Sequence, residues 1–399
     1  MSRRTNLLAP TWQISRFFKA LLVINLVGLA YAQDETQSPK EEKPFIHPGI
    51  SHTRETLDFV KSKIDAKEEP WVEAWNTLCK YRYSNILWEP RPYAQVERGA
   101  SNKHRVGSDE FYLDGGAAYS HALRYYFSED QSHAKKSAEI IKAWSDKLES
   151  ISDHDARLLV GMAGIRFCNA AEILNHCWDG WPQEERVAFE KMITEIWYPI
   201  IKDFYPSANG NWDASMIQTM MAMGIYLDDR AMYERARDYF LAEEGNGGVR
   251  LYFKPSGQCQ ESGRDQSHTQ MGLEFLLNSA EIAWIQGDDL YSSANNLLLK
   301  GFEYTAKYNL GYEVPYEPYR SFEGRYHYKE ISTKARGRLR AMYERAYNHY
   351  HNRLGLEPPY IKEAIGKTRP ESAPRGTSLP WATLMSAEQP ANLVPLGGQ

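Results

Sequence analysis

Cysteine is scarce in this chain. Four occur in 399 residues, Cys79, Cys168, Cys177 and Cys259, at spacings that fit none of the usual zinc-binding patterns. In an exported protein they are free to pair, and the sequence assigns no partners. Excess positive charge is missing too. Lys and Arg number 47 against 52 Asp and Glu, a formal charge of −5. Nucleic acid is therefore not expected as a partner, since it calls for a basic patch or stripe. Long apolar runs are absent but for ALLVINLVGLAYA at residues 20–32, which is too short for a comfortable membrane span. Strand signals are weak throughout; VRLYFK at residues 249–254 is the one stretch that reads as extended.

What is present is a foldable composition with a heavy aromatic load: 42% hydrophobic residues, 13% aromatic, 26 tyrosines. Aromatic rings fill cores, and their flat faces also match the C–H faces of sugars. The apolar run follows Arg3, Arg4, Arg16 and Lys19 and ends in Ala30-Tyr31-Ala32. That is the form of a secretory signal over residues 1–32, cleaved to leave Gln33 first. It predicts a periplasmic or secreted protein, free of the membrane after cleavage, and no cysteine follows the site to carry a lipid. Cleavage takes four basic and no acidic side chains, leaving 43 against 52. A polyanionic substrate then requires a cleft that is locally positive against the overall sign.

Residues 33–45 are polar and charged and read as a flexible lead-in, 46–387 as the folded domain, and 388–399 as a loose tail. In the domain, apolar residues recur at three- and four-residue spacing over 53–66, 70–82, 115–127, 132–148, 153–176, 182–204, 211–227, 230–241, 265–286, 290–308 and 332–354. That is the helical period. A hairpin pattern recurs in YYFSEDQSHAKKSAEII, IYLDDRAMYERARDYFL and WIQGDDLYSSANNLLLKGF, with acidic turns at Asp130, Asp229 and Asp289. The turns are too unevenly spaced for a strict tandem solenoid. They fit an all-α ring of antiparallel helix pairs, with small-residue helices such as LLVGMAGIRFCNAAEIL (158–174) inside and charged helices outside. Two stretches interrupt the pattern, 84–114 and 310–330, both rich in Tyr, Pro and Arg. Loops this long in a compact helical domain are commonly functional. Beyond Gly366, SLPWATL is expected to dock on the domain.

The stretch GGVRLYFKPSGQCQESGRDQSHTQMGLEF (247–275) stands out. A turn-rich polar segment runs into a helix with Glu261, Arg264, Asp265 and His268 at its mouth, an acid, a cation and an imidazole within about two turns. Helix termini are places where a fold can aim such groups at a ligand. This segment, SANGNWDASMIQTMMAMGIYLDD and DGGAAYSHALRYYFSEDQSHAKKSAEIIKAW together resemble the motifs of the alginate lyase superfamily, and the likeness runs from about Thr53 to Ala387. The resemblance implies an (α/α) toroid with a cleft across one end and β-elimination on a uronate polysaccharide. The commonest form of that family has His directly after the motif Asn and Tyr directly before the second motif's His. Trp212 and Ser267 stand there in this chain. The pattern is closer to the glucuronan and alginate lyases of polysaccharide lyase family 38, whose active Asn, His, Arg and Tyr correspond to Asn211, His268, Arg320 and Tyr326. Tyr316, Tyr319 and Tyr328 crowd the same loop.

The chemistry explains these residue types. The C5–H of a uronate is barely acidic while its carboxylate is charged. An amide donor at Asn211, helped by Arg320 or His268, stabilises the enolate-like charge. A base then takes the C5 proton and an acid protonates the departing O4. In mannuronate and glucuronate both atoms lie on one face, so a single Tyr can serve both; in guluronate a second group, such as His268, is needed. Trp212, Tyr319, Glu261, Arg264 and the basic run Lys103, His104, Arg105 are candidates for substrate binding. Glu261 and Arg264 are expected to act chiefly as an ion pair that orients the His268 helix. No metal and no cofactor are called for, and His349 and His351 are expected on an outer helix. A glycoside hydrolase on the same ring needs two acids flanking the bond, and Asp213 with Glu261 or Asp265 is available. A non-catalytic polysaccharide-binding scaffold is the third reading.

Overall fold

The computed structural model describes residues 43–321, 323–371, 379–394 and 396; the expected signal segment lies outside them. Fifteen helices carry the described chain: α1 (Arg54–Asp65), α2 (Trp71–Lys80), α3 (Ser108–Ser128), α4 (Gln131–Lys147), α5 (Ala156–Cys177), α6 (Gln183–Lys191), α7 (Tyr198–Ile201), α8 (Asn211–Tyr226), α9 (Arg230–Leu241), α10 (Val249–Tyr252), α11 (Gln266–Gln286), α12 (Ser293–Asn309), α13 (Tyr343–Tyr347), α14 (Pro359–Thr368) and α15 (Ala382–Ser386). Short strands β1 (Gln95–Arg98), β2 (Arg105–Val106) and β3 (Ser150–Ser152) form one small sheet, and β4 (Tyr319–Arg320) pairs with β5 (His327–Tyr328). Among the described residues no helix is long and apolar enough to cross a membrane.

The architecture is an (α/α) toroid. Helices α3, α5, α8 and α11 pack side by side, and α4, α9 and α12 return outside them. The inner four are buried on nearly every face; all sixteen residues of α8 are buried. Their closeness depends on small residues. A Cβ on Gly161 would lie 2.3 Å from Ser215 Oγ, and one on Gly164 2.4 Å from Thr219 Cγ2. The outer helices are amphipathic, with Ile140, Ile141 and Trp144 of α4 turned inward. Asp130 and Asp229 accept from backbone N–H groups and cap α4 and α9, as Asp at an acidic turn is suited to do. The circuit closes through α13, α15, α1 and α2. Trp381 Nε1 donates to Ser120 Oγ at 3.0 Å, so the described part of the SLPWATL segment, from Leu379, docks on the domain as expected.

Several expectations need correction. Residues 249–254 are not a strand: Val249–Tyr252 is one helical turn, and only Phe253 bridges to Cys259. The first long loop is shorter than expected because α3 already begins at Ser108. Of 332–354, only the part from Tyr343 is helical. Residues 334–340 instead run along α11, where Gln266 N donates to Lys334 O and Gln270 Nε2 to Arg338 O. His349 lies on the helical turn that follows α13, fully buried and stacked on Tyr291 at 3.5 Å. The tail is not loose where it is described: Trp284 Nε1 donates to Val394 O and Asn348 Nδ2 to Gln389 Oε1, each at 2.9 Å. Phe45, placed in the lead-in, is buried in the core. All four cysteines are free thiols.

Candidate active site

The inner helices run parallel. Tyr112 and Tyr125 of α3 meet Arg166 and Cys177 of α5. Gly161 and Gly164 of α5 meet Ser215 and Thr219 of α8. Asn211 and Gln218 of α8 meet Gly272 and Asn278 of α11. Four N-termini therefore open at one end of the ring, each carrying the partial positive charge of its helix. An anionic ligand is favoured at that end before any side chain is counted.

Asn211 is the first residue of α8. Gly210 before it has no side chain to cap with, and Asn211 caps nothing either. Its amide is fully buried, and neither Oδ1 nor Nδ2 has a hydrogen-bond partner among the described residues. Leaving such a group unsatisfied costs about 1–3 kcal/mol, so a purely structural role does not account for it. On α11, Asp265 is the N-cap: its Oδ1 accepts from His268 N and its Oδ2 holds His268 Nδ1, each at 2.8 Å. Burial works to raise the Asp265 pKa, but the contacts with His268 and the nearby Lys334 hold it well below the usual carboxylate range. That leaves Nε2 of the partly exposed His268 uncommitted among the described residues. A Cβ on Gly272 would lie 1.9 Å from Tyr252 Oη and 3.1 Å from Asn211 Cβ. Gly272 is four residues after His268, so Asn211 packs on the same face of α11, one turn along.

Glu261 is fully buried under this helix start. Its Oε1 stands 3.4 Å from Arg264 Nη1, the expected ion pair. Burial nevertheless pushes its carboxyl up, against the pull of Arg264 and His268. The β4–β5 hairpin packs over Gly263, where an added Cβ would strike Tyr328 Cβ at 2.3 Å and Tyr316 Oη at 2.4 Å. Its register pairs Tyr319 with Tyr328 and Arg320 with His327. Successive residues of a strand face opposite ways, so Tyr319, Tyr326 and Tyr328 share one face and Arg320 the other. Tyr328 stacks between Tyr319 and Tyr326 with ring centres 6.2 Å from each. Burial and then Glu261 push the Tyr328 phenol up to about 12. Tyr326 is partly buried, with the Arg325 guanidinium 5.4 Å from its ring centre and Arg264 near enough to interact with its phenol.

The candidates thus divide. Asn211, His268, Tyr326, Tyr319, Glu261 and Arg264 gather at one place. Arg320 does not: it is exposed on the far face of the hairpin, and no hydrogen bond or ion pair ties its side chain to the described residues. Trp212 is buried beside the cluster, its ring centre 5.4 Å from His154 and 5.3 Å from Tyr205. Of the basic run, Arg105 lines a cavity of about 230 Å³ together with Arg98, Arg340, Tyr112, Met271 and Phe275. Lys103 and His104 stand outside it on the surface, His104 paired with Glu97. Met271 and Phe275 continue the stripe of α11 that starts at His268, so the cavity lies along the same helix face, beyond the imidazole. Sequence reasoning missed Asn209, Arg98 and Arg340, and named Tyr328 only as one of the tyrosines crowding the loop. Asn209 is buried facing Glu261 and Tyr328 without a well-formed hydrogen bond, and its signal was the repeated Asn of SANGNWD.

The sequence profile of the alginate lyase family matches residues 60–314. The chain belongs to the alginate lyase family. No curated protein matches it. Among solved structures, this alginate lyase family member is similar to an alginate lyase from Bacteroides ovatus, with 14% identity, 86% of this chain and 100% of that one covered, and a TM-score of 0.58. It is similar also to alginate lyase A1-III from Sphingomonas species A1, with 12% identity, 86% and 98% covered, and a TM-score of 0.60. A His-to-Ala variant of alginate lyase A1-III in complex with a tetrasaccharide gives 12%, 84% and 94%, and 0.58. At these identities the likeness is one of fold, and it covers the toroid almost end to end.

Proposed function

We propose that the chain cleaves a polyuronate by β-elimination at the N-terminal end of its inner helices, in the manner of polysaccharide lyase family 38. The carrying observation is the buried, unpartnered amide of Asn211 beside the Asp265-held imidazole of His268, under a tyrosine hairpin. Asn211 donates to the C6 carboxylate and stabilises the charge that develops on it, with Arg264 supplying the positive field in place of Arg320. The Tyr326 oxygen, as phenolate, takes the C5 proton. The C4–O bond breaks with formation of the C4–C5 double bond, and the same proton passes to the departing O4. Arg264 and Arg325, both near Tyr326, stabilise negative charge on its oxygen as the proton moves. Because Asn211 is closed to solvent, the hairpin or Asn209 must shift for a sugar carboxylate to reach it, a motion of the kind loops over active sites make.

One phenol serving both atoms fits mannuronan and glucuronan; His268 Nε2 is the second base that guluronan requires. An oligosaccharide occupies the similar alginate lyase A1-III, which supports a polymeric acidic sugar here. The hydrolase reading has less behind it. Asp213 is locked by Tyr205 N at 2.6 Å and Tyr239 Oη at 2.7 Å, and Asp265 is occupied as a cap. The test is a panel of mannuronan, guluronan and glucuronan followed by ultraviolet absorbance, which detects the conjugated product end. Asn211→Ala is expected to lose about 10²–10³-fold in kcat and Tyr326→Phe about 10²–10⁴-fold, with unchanged circular dichroism. Absence of absorbance on every polymer sinks the lyase reading. Full activity in Tyr326→Phe moves the base to Tyr328 or His268.

A further inference from the structure

The opposite end of the ring holds a second cluster. Glu172 and His176 lie four residues apart on the last turns of α5, on one face of the helix, about 24 Å along the axis from the end that carries the cleft. His47 reaches them from the segment before α1. Its ring stacks on that of His176, centres 4.4 Å apart. The nearest ligating atoms of the three side chains all lie within 4.8 Å of one another. Glu172 is almost wholly buried, and its Oε2 has no hydrogen-bond partner among the described residues. That oxygen stands 3.9 Å from His176 Nε2. The other, Oε1, accepts from Gly49 N at 3.1 Å and lies 2.6 Å from His47 Nδ1.

We infer that His47, Glu172 and His176 form a structural site for a zinc-class divalent cation, which clasps the segment before α1 to the end of α5. Two imidazoles and one carboxylate suit zinc, whereas calcium and magnesium favour all-oxygen shells. Ligands of a tetrahedral zinc stand roughly 3.3 Å apart when each bond is about 2.0–2.1 Å, so a cation must draw in atoms that lie within 4.8 Å of one another, Glu172 Oε2 and His176 Nε2 from 3.9 Å. Asn175 Nδ2 donates to His176 Nε2 at 3.2 Å; that nitrogen therefore presents a lone pair, which the cation takes over. His47 Nε2 lies 3.1 Å from Asp228 Oδ1. A ligating His whose other ring nitrogen donates to a carboxylate is the usual outer support of a metal-bound imidazole, and Gly49 N orients Glu172 in the same way. A hydrogen-bonded cluster with no cation role leaves Glu172 Oε2 buried and unanswered; a cation answers it.

The test uses the full chain, stripped of metal by a chelator and dialysed. Zinc is expected to bind at about one per chain and to raise the melting temperature, and cobalt in its place to give the visible absorption of a low-symmetry four- or five-coordinate site. His176→Ala and the near-isosteric Glu172→Gln are expected to abolish the cobalt spectrum and the zinc-dependent shift. Uronate cleavage by these variants is expected to stay at the wild-type level well below melting, because the site lies away from the cleft. A wild-type chain that neither retains zinc nor gains melting temperature from it overturns the inference, whatever the variants do. So does a shift that survives in both variants. Loss of polyuronate cleavage in the zinc-free wild type at low temperature counts against a purely structural role.

Discussion

Asp265 does two jobs with one carboxylate, and they can be separated. It caps α11 through His268 N and fixes the imidazole through Nδ1. Asp265→Asn keeps an oxygen for the cap and loses the charge; Asp265→Ala loses both, at about 1 kcal/mol for the cap. We expect Asp265→Asn to melt close to wild type while kcat falls by up to about 10²-fold, and its pH–rate profile to move, because the imidazole has lost its anionic partner. Equal activity losses that track melting temperature in both variants leave the cap as the only role. At this scale the sequence was half legible. Asn211 and His268 sit in motifs whose spacing survives from chain to fold. The choice among four loop tyrosines, and the exclusion of Arg320, depend on the β4–β5 register, and two-residue strands carry too little pattern to set it.

Among the elements, α11 carries the most. Its first turn presents His268, its middle holds Asn211 through Gly272, and its last turns are tied to the segment after α13 by Glu281. That carboxylate is buried against Arg353, with an N–O distance of 2.7 Å. Burial alone raises its pKa, but Arg353 and further contacts outweigh this and bring it to about 2. A carboxylate depressed in the folded state stabilises it fully above the unfolded pKa. That contribution is then lost as pH falls from about 4.5 toward 2. Glu281→Gln is expected to cost about 3–5 kcal/mol at neutral pH, since it strands a buried guanidinium, and to flatten the acid limb of stability against pH. Denaturant midpoints at neutral pH and below pH 4.5 check both. The helical period announced this element and most others. It misled at 332–342, where STKARGRLRAM has helical spacing but its backbone is bound by the side chains of Gln266, Gln270 and Asn309. Partners that far away in the chain leave no local trace.

Over the whole molecule, charge is set against itself. The chain is net acidic, yet the end of the ring that holds the cluster gathers Arg98, Arg105, Arg340 and Arg264 around four helix N-termini, the last three facing Asp109, Glu274 and Glu261. Composition required such a local reversal if the substrate is a polyanion, but could not say which arginines are involved, because they come from strands β1 and β2, the turn before α11 and the segment along α11. Arg98 illustrates the device. It is largely buried, burial lowers its pKa, and only its Nε is used in a bond to Asn102, with Nη1 left without a partner among the described residues. Such a cation in a concave wall acts over a distance set by screening, about 10 Å at 0.1 M salt and 3 Å at 1 M. The Michaelis constant for a polyuronate is therefore expected to rise steeply with ionic strength while kcat changes little, because the charges at the reacting atoms are buried and poorly screened. Arg98→Gln is expected to raise KM at low salt and to weaken its salt dependence. A KM indifferent to salt in the wild type removes the steering role from these arginines and leaves substrate capture to the aromatic faces alone.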